Sequence, residues 1–259
     1  MRQFSIFLFA SAAIFATPAM AQSTDSLPTA DETAAEGEIV VFGRGETRQV
    51  QELNSKELLI LAPGTSPLKA IEKLPSVNFQ SADPFGTYEW SSRVSIRGFN
   101  QNQLGYTLDG IPLGDSTYGN NNGLHIGRAI ISENIGVTRV SQGSGSIGTQ
   151  ATNNLGGTLE FFSGDFSDGL GLDANLTYGS ENTIRGFGRV NFGEAGGIRG
   201  FVSGVYHNAE KWKGGGDQHN WQINAKAIIP VGEAEFDAYF AYSNRAEQDY
   251  QDLSLEMIN

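Results

Sequence analysis

Beyond Gly169, apolar and polar side chains alternate with a period of two. Leu170, Leu172, Ala174, Leu176 and Tyr178 are separated by Gly171, Asp173, Asn175 and Thr177. Residues 184–192 repeat the rule against Arg185, Phe187, Arg189 and Asn191, and residues 198–206 against Arg199, Ser203 and His207, with Phe201 and Val205 as lapses. Trp221, Ile223, Ala225, Ala227 and Ile229 then oppose Gln222, Asn224, Lys226 and Ile228. Phe236, Ala238, Phe240 and Tyr242 oppose Asp237, Tyr239, Ala241 and Ser243. Successive strand side chains point to opposite faces. Consecutive segments of about ten residues with this alternation are the sequence form of an antiparallel transmembrane β-barrel. A soluble sandwich also alternates, but here the apolar face continues to the strand ends.

The connections agree with that reading. Residues 194–197 and 230–235 are tight, whereas 208–218 are longer and polar, as periplasmic turns and external loops would be. Residues 179–182 are a short connection on the external side. Tyr178, Phe192, Tyr206, Trp221 and Tyr242 lie near strand ends, where an interfacial girdle belongs. Five strands cannot close, and an open sheet in lipid leaves backbone groups unpaired. The expectation is an incomplete barrel, the N-terminal fragment of a longer chain.

The first 164 residues follow other patterns. Arg2 precedes an apolar run from residue 4 to 16, and Ala19-Met20-Ala21 fits a small-x-small cleavage site, so residues 1–21 read as a secretory signal peptide. Residues 22–37, poor in aromatics, read as a flexible arm. Glu38, Ile39, Val40, Val41 and Phe42 form a short β-branched run bounded by glycines. Two short helices are predicted next, one capped by Ser55 over residues 56–61. The other is capped by Ser66, with Pro67 first and Leu68, Ile71 and Leu74 on one face. Strands follow at 77–79, 94–96, 105–108, 137–142 and 156–162, with a turn of helix within 124–133. Residues 38–164 thus make a small α+β domain ahead of strands in 165–259.

Within that domain stand VSIRGFNQNQLGYTLDGIPL, from residue 94, and VTRVSQGSGSIGTQATNNLGGTLEFF, from residue 137. An IRGF-like strand, an LDGIPL-like strand and a late Gly-rich turn, in that order, resemble the plug domain of TonB-dependent outer-membrane receptors. The resemblance implies an α+β plug followed by a barrel of roughly 22 strands around a plugged lumen, in the outer membrane of a Gram-negative bacterium. It implies that residues 38–42 are a TonB box, added to a sheet edge of TonB by main-chain hydrogen bonds. TonB, with its inner-membrane energising complex, would then drive uptake of a small nutrient such as a siderophore chelate or an oligosaccharide. By the same resemblance Arg97 and Arg139 contact the barrel wall. Plug loops facing the external vestibule offer Phe85, Tyr88, Trp90, Gln101, Asn102, Tyr118, Asn120 and Asn121 to the ligand. A passive porin or binding protein with a fixed plug is the alternative.

Composition narrows the field. A formal charge of −12, one unit more acidic once Arg2 is cleaved away, repels nucleic acid. With no cysteine, disulfides and thiolate metal sites are excluded. Glycines 143, 145 and 148 match GxGxxG with Asp165 downstream, but a dinucleotide site needs a helix after the turn, and residues 149–157 are a poor helix leading to a strand. His125, His207 and His219 lack metal-ligand spacing. Asp109-Gly110 reads as a turn, and no serine sits in a nucleophile elbow. No enzyme, resident cofactor or metal is expected.

Overall fold

The computed structural model describes residues 9–12, 50–58, 60–115, 123–143, 149–164, 169–195, 197–212 and 214–248. Its first unit begins with β2 (Val50–Asn54), α1 (Ser55–Leu58), α2 (Pro67–Ala70), β3 (Val77–Gln80) and β4 (Arg93–Ile96). It continues with β5 (Phe99–Asn100), β6 (Leu104–Leu108), β7 (Ile111–Pro112), α3 (Ile126–Ala129), β8 (Ile135–Gln142) and β9 (Gly157–Ser163). Strands β2-β8-β9-β6-β7 form one sheet and β3-β4-β5 a second. All pairs are antiparallel except β6 with β9.

Local chemistry explains the ends of these elements. The first helix is capped by Asn54 rather than by Ser55, and stops at Leu58. Asn54 Oδ1 accepts from the Glu57 N–H at 3.2 Å, while Glu57 Oε2 accepts from the Asn54 N–H at 3.0 Å, a reciprocal capping box. That N–H, with Lys73 assisting, holds the Glu57 carboxyl below its usual range. Ser66 caps α2 as expected, with Pro67 in its first turn. Asp109 and Gly110 both take positive φ, 48° and 79°, between Leu108 and Ile111. This is the two-residue hairpin turn that Asp-Gly favours. Gly157 has φ 140°, and a Cβ there would overlap the Ser141 carbonyl oxygen.

Leu53, Leu104, Tyr106, Leu108, Val140, Leu159 and Phe161 cover one face of the five-stranded sheet and are buried. Leu68 and Ile71, Ile126 and Ile130, and Phe79, Val94 and Ile96 complete that core from α2, α3 and the small sheet. Each such side chain contributes about 1.5–3 kcal/mol by leaving water. Strand β2 was not apparent in the sequence, because only Val50 and Leu53 in VQELN are apolar.

The second unit is a meander of β10 (Gly171–Gly179), β11 (Thr183–Ala195), β12 (Ile198–Glu210), β13 (Asp217–Val231) and β14 (Ala234–Glu247). Its sheet is open, so these residues do not close a barrel. The two faces separate as the alternation predicts. Leu172, Leu176, Tyr178, Val202 and Tyr206 are exposed, Leu176 to 80 %. Arg185, Asn191, Ser203, His207, Gln222, Asn224 and Lys226 are buried against the first unit. An apolar outer face and a polar inner face invert a soluble protein and suit a wall between lipid and lumen. Phe201 and Val205 also point inward, and Val205 packs with Phe187 against Ile131. The lapse at Val205 is therefore a contact with the plug. A further strand, β1 (Phe9–Ala12), pairs antiparallel with the lower part of β14. It occupies the edge of the open sheet, where unpaired N–H and C=O groups otherwise await a partner.

Candidate functional site: the seam between plug and wall

Three groups of contacts fix the first unit to the wall. In the first, Lys226 of β13 reaches the Asp-Gly hairpin, its Nζ lying 3.0 Å from Asp109 Oδ2 and 2.8 Å from Ser163 Oγ. Asp109 also accepts from the Ser163 N–H and hydroxyl, each at 2.8 Å. The turn thus presents a carboxylate already held in place. Asp237 stands 3.6 Å from the same ammonium.

The second group surrounds the end of α3, whose last carbonyls have no partner within the helix. The wall supplies them: Ala129 O accepts from the Tyr239 hydroxyl at 2.7 Å, and Arg128 O from Gln222 Nε2 at 3.1 Å. Asn224 Oδ1 accepts from the Ile131 N–H at 2.7 Å, and Asn134 Nδ2 donates to Ser203 Oγ at 2.8 Å. Beside them Arg185 forms a fork on Glu133, with Nη2 to Oε2 at 2.7 Å and Nη1 to Oε1. Arg189 joins Asp173 at 2.8 Å and donates to Glu133 O at 3.3 Å.

The third group lies toward the end of the wall carrying the long β12–β13 connection. Arg245 donates to Thr87 O at 3.0 Å and Gly127 O at 3.3 Å. Glu247 accepts from the Glu89 N–H at 3.0 Å, and Glu89 pairs with Arg128. Gln218 donates to Thr87 Oγ1 at 3.3 Å, and Phe85 meets His207 edge to face at 6.0 Å. His125 caps α3, its Nδ1 accepting from the Gly127 N–H at 3.1 Å. Burial pushes this imidazole down to about 4, with Arg245 and Arg128 assisting and Glu89 opposing.

A pocket of about 340 Å³ opens between the loop 81–88, the β10–β11 turn with the start of β11, and the facing ends of β12 and β13. Phe85, Tyr88 and Trp212 line it with Asp83, Glu181 and Glu210. Asp83 organises the loop, accepting from the N–H groups of Phe85, Thr87 and Tyr88 at 3.0–3.1 Å and from two hydroxyls.

Of the residues expected to meet ligand, Phe85 and Tyr88 reach this pocket. Trp90 stands partly exposed outside it. Gln101 and Asn102 form a tight turn against the small sheet, where Gln101 O accepts from the Tyr106 hydroxyl. Tyr118, Asn120 and Asn121 fall outside the described residues, as do residues 38–42. The two arginines expected at the wall have partners within the plug. Arg97, at φ 51°, donates to Gln142 at 3.1 Å. Arg139 binds Glu52 at 2.7 Å and lies 5.2 Å from the Phe162 ring. A cross-strand acid stands beside Arg139 in the β2–β8 register, so its charge is met without the wall. The wall's own Arg185, Lys226 and Arg245 make cross-contacts, to Glu133, to Asp109 and to the carbonyls of Thr87 and Gly127. Their signal was a charge at an inward strand position, which calls for a partner on whatever fills the lumen.

A folded plug bonded to the polar face of a wall whose other face is apolar is the arrangement of a plugged outer-membrane barrel. Residues 44–158 match the family described as TonB-dependent Receptor Plug Domain, and the first unit is a plug domain of that kind. Solved structures agree in fold. The pyoverdine outer membrane receptor FpvA from Pseudomonas aeruginosa PAO1, bound to pyoverdine, is 16 % identical with a TM-score of 0.59 over 76 % of this chain and 27 % of that one. The siderophore receptor PiuA from Acinetobacter baumannii is 20 % identical, with a TM-score of 0.55 over 76 % and 26 %. The ferric enterobactin receptor PfeA, in complex with BCV-L6, is 14 % identical, with a TM-score of 0.54 over 77 % and 34 %. The chain thus spans a quarter to a third of the structures it matches. Among curated proteins no sequence matches it.

Proposed function

We propose that this chain is the plug and first wall strands of a transporter that takes a scarce, siderophore-like nutrient across the outer membrane of a Gram-negative bacterium. Residues 1–21 direct export and are cleaved after Ala21, which frees the β14 edge for the next barrel strand. Residues 38–42 pair with TonB, whose inner-membrane complex supplies the energy, and the loop 81–88 takes part in ligand capture. The observation that carries the reading is the seam itself. Ion pairs and hydrogen bonds hold the plug to the wall at three levels, so opening a path requires work. A passive porin has no source for that work.

Deletion of residues 38–42 tests the proposal in cells carrying the receptor. Uptake of labelled ferric chelate is expected to stop while surface binding persists. Collapsing the inner-membrane proton gradient should have the same effect. Uptake that survives both treatments would instead establish the passive reading.

A further inference from the structure

We propose that Gln218 is the partition closing the inner end of the pocket at loop 81–88, and that a solute moving inward enters the plug–wall seam there. The proposal rests on the ligand-capture reading of that pocket and assigns the residue that controls its exit. A second, smaller cavity of about 50 Å³ lies within the seam. Ser66, Thr87 and His125 line it from the plug, and Val205, His207 and Arg245 from the wall. Gln218 lines both this cavity and the outer pocket. Its side chain is buried, with Nε2 3.3 Å from Thr87 Oγ1 and 2.6 Å from His207 Nε2. One amide thus spans the seam from plug to wall. Beside it the Phe85 ring, on the outer pocket, meets the His207 ring, on the inner cavity, edge to face at 6.0 Å.

The two sides of the partition differ in chemistry. The outer pocket offers aromatic surface from Phe85, Tyr88 and Trp212. The inner cavity is edged by imidazole, guanidinium, amide and hydroxyl groups. With the Gln218 amide donating to both neighbours, His207 carries its proton on Nδ1, and that N–H has no acceptor among the described residues. A buried polar group left unpaired is costly. The cavity exceeds the roughly 10–15 Å³ that one water needs, so it gains by admitting water or a polar solute. The bonds that hold the partition are few. Two neutral hydrogen bonds of ordinary net strength favour the closed position by roughly thirtyfold. That keeps the seam shut at rest and lets it yield to a ligand pressing inward.

Thiol accessibility on intact cells tests the partition, since the 259 residues contain no cysteine. The probe is a small cationic methanethiosulfonate added from outside, and labelling is read as a mass shift on the purified receptor. Ser180→Cys reports the outer pocket and Val205→Cys the inner cavity. Ser203→Cys reports the next inward position of the same strand, which does not line that cavity. Ser180→Cys should react fast and Ser203→Cys slowly in every background. Val205→Cys should be protected until Gln218→Ala is added, and should then react roughly thirtyfold faster. Gln218→Glu should keep it protected, because the imidazole and the hydroxyl can each turn donor toward a carboxylate. Val205→Cys reacting as fast as Ser180→Cys behind the native glutamine, or staying protected beside Gln218→Ala, would overturn the proposal. So would Gln218→Glu as open as Gln218→Ala, or an unreactive Ser180→Cys, since the pocket would then not open outward. Ser203→Cys accelerating with Val205→Cys would overturn it too, because the whole plug would have loosened. The labelling needs neither chelate nor TonB, so it is separable from transport. A partition that behaves as expected without energised uptake would defeat transport alone. Energised uptake with position 205 open behind the native glutamine would defeat the partition alone.

Discussion

Replacing Glu133 by glutamine preserves the size of the side chain but removes the counter-charge of Arg185. That guanidinium has Glu133 at 2.7 Å through Nη2 and a second bond through Nη1, with Asn175 Oδ1 at 3.3 Å as a lesser partner. The arginine side chain is 6 % exposed and the glutamate 14 %. Breaking a pair this buried costs about 3 kcal/mol, since the remaining charge stays out of water. That corresponds to roughly a hundredfold shift in the local docking equilibrium between plug and wall. Amide exchange on the receptor in detergent reads it, because the Ile131 N–H bonds to Asn224 on the wall. Exchange there should accelerate by about two orders of magnitude, and leakage of a bulky antibiotic through the receptor should rise in cells. Adding Arg185→Met to Glu133→Gln removes the orphaned charge and should recover most of the protection. Unchanged exchange in the single variant, or a double variant as labile as the single, would refute the anchoring argument.

Two further outcomes follow from burial and orientation. His125 titrates at about 4 in the folded plug against an ordinary 6.5, so the unfolded chain binds its proton first as pH falls. Its contribution is complete above pH 6.5 and is lost as pH drops toward 4. The loss is about 2 kcal/mol after allowing for residual solvent contact, and should appear as faster exchange at the Gly127 amide; His125→Asn, which retains a capping oxygen, should flatten that dependence. Leu176 faces outward from β10 and is 80 % exposed, so Leu176→Arg should cost about 2–4 kcal/mol if the face meets lipid near the bilayer midplane. A urea titration of the receptor in vesicles showing no loss would indicate that this face meets water.

The wall was legible because its signal is strictly local. Alternation alone oriented Leu172, Leu176, Arg185, Asn224 and Lys226, and residues 180–182 and 232–233 turned the strands close to the expected places. The hairpin at Asp109-Gly110 and the cap at Ser66 were equally local. Strand β2 was hidden because it is an edge strand with a single fully buried side chain, Leu53. The site was only half legible. Phe85 and Tyr88 could be proposed from their loop, but Glu133 pairs with Arg185 across 52 positions and Asp109 with Lys226 across 117. No periodicity encodes a pairing between two units. The inward charges indicated that partners must exist, while the fold alone identified them.

The distribution of these contacts bears on how such a plug could leave its wall. Among the described residues, the wall's ion pairs and hydrogen bonds to the plug fall on residues 82, 87, 89, 109, 127–134 and 163. Among the described residues, strand β2, the first of the plug, pairs only with β8 over five residues. Its ion pair among the described residues, Glu52 with Arg139, is exposed and is worth at most about 1 kcal/mol. A pull on the arm therefore meets this weakly held edge before it meets the buried Arg185–Glu133 fork. Apolar docking would have spread the adhesion over area, so that no part could open alone. Directional polar contacts concentrate it at particular residues instead, and each broken bond can be exchanged for water at a net cost of about 1 kcal/mol. Such a seam can stay closed against diffusion and still yield in sequence to a directed force.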